Sequence, residues 1–277
     1  AQVEVVDYAG RTVRLEQPAQ RIIALAPDIV ENAFSAGAGG KLVGVAEYSD
    51  YPAAAKDIHR VGNYNAWALE EIIALKPDLV LMWASGNGMH RLPALERLGL
   101  TVYVNEARDL ADIATSIRHI GILAGTDAVS EAEAERLEAE TDRLRATYAS
   151  AKTLSVFYQI WHQPLQTING EHMISHLIEL CGGHNIYEDE DILAPRINVE
   201  SVLARDPDII MGNGMDEARP EWLHAWKRYP SLSAVKNGAL IFVHPDLLHR
   251  STARALQGTA IMCEKMQVFR ERREPGA

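Results

Sequence analysis

The chain has 277 residues, of which 47% are hydrophobic and 23% charged, and its formal net charge at pH 7 is −11. This composition is typical of a folded globular protein with one large core or two smaller ones, and it excludes disordered, collagen-like and small disulfide-scaffold proteins. The negative charge repels nucleic acids and anionic membranes, and no apolar run approaches the roughly 20 residues that span a bilayer.

The first predicted element is a β-hairpin over residues 3–15. Its polar and apolar residues alternate around a turn at Ala9-Gly10, as they do in paired strands. Short apolar runs, typical of buried strands, then alternate with helical patterns. The predicted strands are 22–25, 42–45, 79–82 and 102–104, and the predicted helices are 29–36, 68–75 and 93–98. This alternation predicts βα units with a mostly parallel sheet.

The segment 128–149 has a different composition, with no Gly or Pro and many Ala, Glu, Arg and Leu residues. It predicts one helix of about 33 Å at 1.5 Å per residue, which is long for a crossover but suits a rigid connector. Predicted strands and helices then resume. We therefore expect an α/β protein with two similar, mostly parallel lobes (1–125 and 152–277) joined by one long backbone helix (126–151). Ligands favour the cleft between such lobes.

An internal repeat supports two similar lobes. Residues 69–81 can be laid over residues 199–211, and in both a Glu (Glu70 or Glu200) begins a short helix that ends at Pro-Asp before an apolar strand. Proline cannot continue a helix, so the proline in each copy ends the helix before the strand begins.

The two cysteines, Cys181 and Cys263, are 82 positions apart, too far for a CxxC motif. The spacing is equally compatible with two buried thiols and with one disulfide in an oxidising compartment.

Metal-binding and catalytic signals are weak. His172 and His176 have the i, i+4 spacing of two ligands on one helix face, but no third ligand matches them, and we expect no metal site. The sequence has no GxSxG, HExxH, P-loop or strand-linked GxGxxG motif. We therefore expect a protein that is not an enzyme and has no catalytic residues. A metal-dependent enzyme is a remote alternative. Metallocluster enzymes of this architecture need clustered thiolates, and this chain has only two cysteines, which are distant in sequence.

Three segments, in order, carry a family resemblance. They are Asp7-x-x-Gly10-Arg11-x-Val13 followed by Pro18-x-x-Arg21-Ile22-Ile23-Ala24-Leu25-Ala26-Pro27, then Glu31-x-x-x-x-x-Gly37 with Val43-Gly44-Val45, then Leu69-Glu70-x-Ile72-x-Ala74-Leu75-Lys76-Pro77-Asp78-Leu79-Val80. With them the chain resembles, over nearly its whole length, the helical-backbone periplasmic binding proteins of ABC importers for metal chelates. The resemblance implies a periplasmic carrier that delivers its ligand to an importer.

Further segments resemble the cobalamin-binding members of that family. They are Tyr48-Ser49-Asp50-Tyr51-Pro52, Trp83-x-x-Gly86-Asn87 and Glu179-x-Cys181-Gly182-Gly183-x-Asn185-Ile186. The resemblance implies a corrinoid ligand and a disulfide between Cys181 and Cys263. It also implies a periplasmic location for a mature chain whose signal peptide has been removed, since residues 1–4 have neither a basic nor an apolar segment.

The resemblance also implies the ligand contacts. A corrinoid has apolar faces and an amide-fringed rim, so its site needs aromatic walls and a few hydrogen-bonding groups. The implied contacts are Tyr48, Tyr64, Trp83, Asp246 and Arg250. In the second lobe the chain departs from the family, with Leu247 and Leu248 where aromatic residues stand and His249 where an acid stands. Trp161 and His162 are candidates to replace the missing wall.

Two other metal chelates, haem and a ferric siderophore, are alternative ligands. Haem would suit Tyr48 or Tyr64 with His162 or His249, because its iron accepts Tyr and His ligands. A ferric siderophore would need several converging arginines, and only Arg196 and Arg250 are candidates.

Glu70 and Glu200 have two interpretations. A Glu in the first turn of a helix is favoured by the helix dipole. The resemblance implies in addition that both acids dock onto arginines of the importer permease. We expect a monomer with no resident cofactor, no nucleic-acid partner and no membrane insertion.

Overall fold

A parallel β-sheet forms the centre of each half of the chain. A computed structural model describes residues 1–212 and 221–272, and the chain divides into two units, Ala1–Ala139 and Glu140–Ala277. The predicted α/β class is confirmed. The division between the units falls inside the long helix, while the three-part domain scheme stays a prediction.

The first unit contains a six-stranded sheet in the order β6-β5-β4-β3-β7-β8. Its pairs are parallel except β5 with β6. The elements are β1 (Val3–Val6), β2 (Thr12–Leu15), β3 (Ile22–Ala24), α1 (Pro27–Ser35), β4 (Leu42–Ala46), β5 (Arg60–Asn63), β6 (Ala66–Trp67), α2 (Leu69–Ala74), β7 (Leu79–Trp83), α3 (Ala84–Asn87), α4 (Leu92–Arg97), β8 (Val102–Asn105), α5 (Leu110–Ala124) and α6 (Asp127–Tyr148), the last of which continues past residue 139.

The central strands are apolar because helices and loops cover both faces of a parallel sheet. All three residues of β3 and the first four of β7 are buried. The predicted hairpin is present as an antiparallel pair in which Val3 faces Leu15 and Val6 faces Thr12.

The second unit contains a four-stranded, fully parallel sheet in the order β12-β9-β13-β14. A separate two-stranded hairpin, β10 with β11, follows β9. The elements are β9 (Leu154–Gln159), β10 (Trp161–His162), β11 (Leu165–Gln166), α7 (Met173–Leu180), β12 (Gly183–Asn185), α8 (Val199–Arg205), β13 (Ile209–Gly212), α9 (Glu221–His224), α10 (Ser233–Lys236), β14 (Leu240–Phe242), α11 (Pro245–Leu248) and α12 (Arg254–Arg272).

The sequence repeat has a matching role in the two units. In the first, the Asp78 carboxylate accepts backbone N–H bonds from Gln20 (2.8 Å) and Arg21 (3.0 Å), immediately before β3. In the second, the Asp208 carboxylate accepts from the backbone N–H of Ser155 in β9 (2.9 Å). Each aspartate thus joins the start of its own strand, β7 or β13, to the strand beside it.

The helix that precedes each Pro-Asp pair ends in the same way. Lys76 and Asp206, which stand at equivalent positions of the repeat, have positive φ angles of 50° and 43°. A left-handed residue ends the helix, and the following proline cannot continue it. The turn therefore repeats in backbone conformation as well as in sequence.

The disulfide implied by the family resemblance is confirmed. Cys181, directly after α7, is bonded to Cys263 in α12, and both residues are fully buried. The bond joins the end of α7 to α12 within the second unit, although the two cysteines are 82 positions apart in sequence.

Replacing both Cys181 and Cys263 with Ala is expected to lower the free energy of unfolding by about 4.5 kcal/mol, because the open chain regains loop entropy in the unfolded state. Urea denaturation of the oxidised wild type and the variant measures the difference. Dithiothreitol should destabilise the wild type and leave the double variant unchanged. Equal stability of the two oxidised proteins would contradict the prediction.

Candidate ligand-binding site

In the first unit, three aromatic side chains stand where parallel strands end. Tyr48 follows β4, Tyr64 follows β5, and Trp83 is the last residue of β7. The carboxyl ends of parallel strands meet at one edge of a sheet, which is where open α/β sheets bind ligands. The rings of Tyr64 and Trp83 lie 5.8 Å apart between centroids, tilted by 52°. The structure thus brings these two predicted ligand residues together.

Tyr48 projects into solvent from a strained backbone. Its surface is 78% exposed and its φ angle is 66°, a region that bulky residues rarely adopt, at a cost of about 1–3 kcal/mol. The neighbouring Ser49 is buried, and its hydroxyl has no hydrogen-bond partner among the described residues. Such strain clusters at ligand-contacting positions, which fits the predicted role of Tyr48.

Asn87 holds Trp83 and Tyr64 in position. Its side chain accepts a hydrogen bond from the backbone N–H of Trp83 (2.6 Å) and donates to the carbonyls of Leu25 (3.0 Å) and Tyr64. Only 2% of its surface is exposed. The sequence analysis places Asn87 in the motif Trp83-x-x-Gly86-Asn87 but predicts no role for it.

Gly86 in the same motif makes room for the indole ring. A β-carbon at this position would lie 1.8 Å from the Trp83 ring, far closer than van der Waals contact allows. The Trp83 side chain therefore folds back over the short helix α3, and the motif Trp83-x-x-Gly86-Asn87 encodes its orientation.

Trp67, at the end of β6, makes other contacts than the Tyr64 and Trp83 pair. Its side chain packs against the hydrophobic core of the first unit, and the guanidinium of Arg91 lies 4.7 Å from its ring centroid. Arg91 also donates to the carbonyl of Asn65 in the β5–β6 turn. These contacts give Trp67 a structural role.

In the second unit, Trp161 and His162 form β10, just beyond the carboxyl end of β9. They belong to a cluster of three rings with Trp222 of α9. The His162 and Trp222 rings are stacked at 4.2 Å with an 18° interplanar angle, and Trp161 lies 5.0 Å from Trp222. Sequence reasoning missed Trp222, because 60 positions separate it from His162 and no pattern links them.

Asp246 and Arg250 lie beyond the carboxyl end of β14, in and just after α11. The Arg250 Nε is 3.9 Å from an Asp246 carboxylate oxygen, and the two side chains are 19% and 55% exposed. This loose pair offers both a donor and an acceptor at the same edge of the sheet as Trp161.

His249 is engaged within the protein. Although the residue as a whole is exposed, its Nε2 lies 2.8 Å from the hydroxyl of the fully buried Tyr158. The desolvated surroundings lower the pKa of His249, which keeps the imidazole neutral near pH 7.

The two repeated acids lie on the surface, one in each unit. Glu70 is in the first turn of α2 and Glu200 in the first turn of α8, and both are exposed. In α8 the Asn198 side chain caps the helix by accepting from the Ser201 N–H (2.8 Å).

No metal-binding cluster is present within residues 1–212 and 221–272, where no group of three or more His, Cys, Asp or Glu residues could hold an ion. His172 has a structural role instead, because its Nδ1 accepts from the Ile174 N–H (3.1 Å) and caps α7. Among the helices of these residues, none has both the length and the apolar character that crossing a membrane requires.

Two α/β units that present aromatic and charged side chains at the carboxyl edges of their sheets are features of a solute-binding protein. Residues 22–247 match the model of a family described as periplasmic binding protein. The chain belongs to this family.

Several relatives carry a more specific description. The vitamin B12-binding protein of Vibrio cholerae serotype O1 is 36% identical over 251 residues, which cover 91% of this chain and 90% of that protein. The vitamin B12-binding protein of Vibrio campbellii is 34% identical and covers 92% of each chain.

Solved structures agree with the fold. The periplasmic vitamin B12 binding protein BtuF of Vibrio cholerae superposes with a TM-score of 0.84 at 35% identity, covering 92% of this chain and 99% of that one. The periplasmic heme-binding protein RhuT from Roseiflexus sp. RS-1 gives 0.78 at 20% identity, covering 91% and 99%. At that identity the second likeness concerns the fold alone.

Replacing Asn87 with Ala is expected to lower the free energy of unfolding by about 2–4 kcal/mol, because it removes three hydrogen bonds to the backbone of Leu25, Tyr64 and Trp83 and leaves the buried Leu25 carbonyl without this partner. Denaturant titration measures the loss. Asn65→Ala, at the exposed β5–β6 turn, is the matched control and should stay within about 0.5 kcal/mol of the wild type. Similar stability of the two variants would contradict the role given to Asn87.

Proposed function

We propose that this protein is a periplasmic carrier that captures a corrinoid, cobalamin, and delivers it to an ABC importer. The observation that carries the proposal is the aromatic group Tyr48, Tyr64 and Trp83 at one sheet edge, in a chain 36% identical to a vitamin B12-binding protein.

The chemistry of a corrinoid fits these side chains. Its ring has broad apolar faces, which aromatic side chains cover with little loss of conformational entropy. Its rim carries amides, which need hydrogen-bond donors and acceptors. Arg250 supplies donors and Asp246 acceptors, while Trp161 and His162 add aromatic surface in the second unit.

The proposal includes no catalysis and no resident cofactor, and it treats cobalamin as cargo. Binding through aromatic faces and a few polar groups breaks no bond of the corrin ring, so the carrier can release the ring intact. We propose that the protein acts as a monomer, with the importer permease as its protein partner.

The deciding experiment is calorimetric titration with cyanocobalamin, cobinamide and haemin in parallel. Binding of a corrinoid with a Kd below about 1 μM, equivalent to about −8.2 kcal/mol, without haemin binding supports the proposal. Binding of haemin alone would show that the ligand is haem and not a corrinoid. The iron of haem accepts Tyr and His ligands. Binding of none of the three would overturn the proposed ligand.

Replacing Trp83 with Ala is expected to weaken corrinoid binding by more than about tenfold, which corresponds to about 1.4 kcal/mol of lost contact. Trp83→Phe keeps an aromatic face and is expected to retain most of the affinity. Circular dichroism verifies that both variants are folded. Unchanged affinity of a folded Trp83→Ala protein would remove Trp83 from the site.

We further propose that Glu70 and Glu200 dock onto cationic residues of the permease. Exposed charge pairs contribute orientation and association rate more than affinity, which suits a carrier that must dissociate after delivery. One such acid in each unit would orient the carrier on its partner.

Replacing Glu70 and Glu200 together with Ala is expected to slow uptake of radiolabelled cobalamin through the cognate importer by about tenfold or more, while calorimetry shows unchanged cobalamin binding. Glu71→Ala with Glu264→Ala removes one exposed acid from each unit and serves as the charge-matched control. Uptake at the wild-type rate in the Glu70 and Glu200 variant would contradict docking through these acids.

A further inference from the structure

His162 differs from the other histidines described above. Its ring lies parallel to the Trp222 indole at 4.2 Å, and the Trp161 ring is 5.3 Å away. Trp161 is itself held by a hydrogen bond from its Nε1 to the carbonyl of Gln163 (3.0 Å). The imidazole is exposed, and neither of its nitrogens has a hydrogen-bond partner among the described residues.

Two other histidines near this edge of the sheet use a ring nitrogen within the protein. His249 meets the Tyr158 hydroxyl through Nε2. His244 accepts from the Asp246 N–H through Nδ1 (3.1 Å) and so caps α11. Only His162 of these three combines an oriented ring with two open nitrogens.

Stacking leaves an imidazole competent as a metal ligand. Trp222 covers a face of the ring, whereas a metal binds the nitrogen lone pair, which lies in the ring plane. The stacked indole also limits rotation of the imidazole, so less conformational entropy remains to be lost when a bond forms.

We propose that His162 is an axial ligand to the cobalt of the bound corrinoid. This inference rests on the proposed function and extends it to the metal at the centre of the cargo. The reaction is a ligand exchange in which a nitrogen lone pair of neutral His162 forms a Co–N bond and an axial water leaves. Cobalt keeps its oxidation state and no proton is transferred.

The exchange predicts selectivity among corrinoids. A corrinoid with water in its axial positions can accept His162, whereas cyanide on both axial positions blocks the bond. The protein should therefore prefer diaquocobinamide to dicyanocobinamide, although the ring faces and rim amides of the two are the same.

Absorption spectroscopy tests the bond directly, because replacing an axial water by imidazole shifts the corrinoid bands. Titrating diaquocobinamide with the wild-type protein is expected to shift the bands, and its affinity should exceed that for dicyanocobinamide by about tenfold or more, equivalent to about 1.4 kcal/mol. His162→Phe keeps a ring on Trp222 and removes the nitrogen. This variant is expected to bind both corrinoids with similar affinity and without the band shift.

The outcomes separate this inference from the proposed function. Binding of diaquocobinamide by the wild type with an unchanged spectrum would overturn the axial ligand and leave the carrier function standing. The same band shift in His162→Phe would assign the bond to another residue and also overturn the inference. Failure of the wild type to bind any corrinoid would overturn both.

Discussion

The burial of parallel strands is the constraint on which both units depend. Connections that cover both faces of a sheet return each strand in the same direction, so the parallel strands of the sheet end at one edge. Side chains that follow separate strands, such as Tyr48, Tyr64 and Trp83, therefore share that edge. Asp78 and Asp208 reinforce the arrangement by joining the starts of adjacent strands.

The two units build their aromatic surfaces by different means. In the first, a local motif is sufficient, because Gly86 admits the Trp83 ring and Asn87 bonds the backbone of Trp83 and Tyr64. In the second, His162 of a small hairpin stacks on Trp222 of a helix far along the chain. The second surface thus depends on how hairpin and helix pack within the unit.

The sequence predicted the elements that have a clear alternation, an apolar run or a long helical composition. The hairpin over 3–15, the strands over 79–82 and 209–211 and the helix over 128–149 were all predicted to within two residues. The short strands β5, β6, β10, β11 and β12 were not predicted. Unlike β3 and β13, none of these short strands contains a run of three apolar residues, so their pattern is too weak to be recognised, and tertiary contacts decide whether they form. Helices α5 and α12 were also missed, although Asp109 and Gly125 cap the first of them.

The sequence by itself determined the α/β class, the internal repeat and, through motif order, the family, because these depend on local periodicity and spacing. It also named the aromatic residues at strand ends. Only the tertiary structure decided which histidine keeps its ring nitrogens available for a ligand. Tyr158 forms a hydrogen bond with His249, whereas Trp222 stacks on the ring face of His162 and leaves both of its nitrogens available. It likewise showed that Cys181 and Cys263 form a disulfide, whereas their spacing in the sequence was equally compatible with two separate thiols. Contacts between residues distant in the chain arise from packing, and no local pattern encodes them.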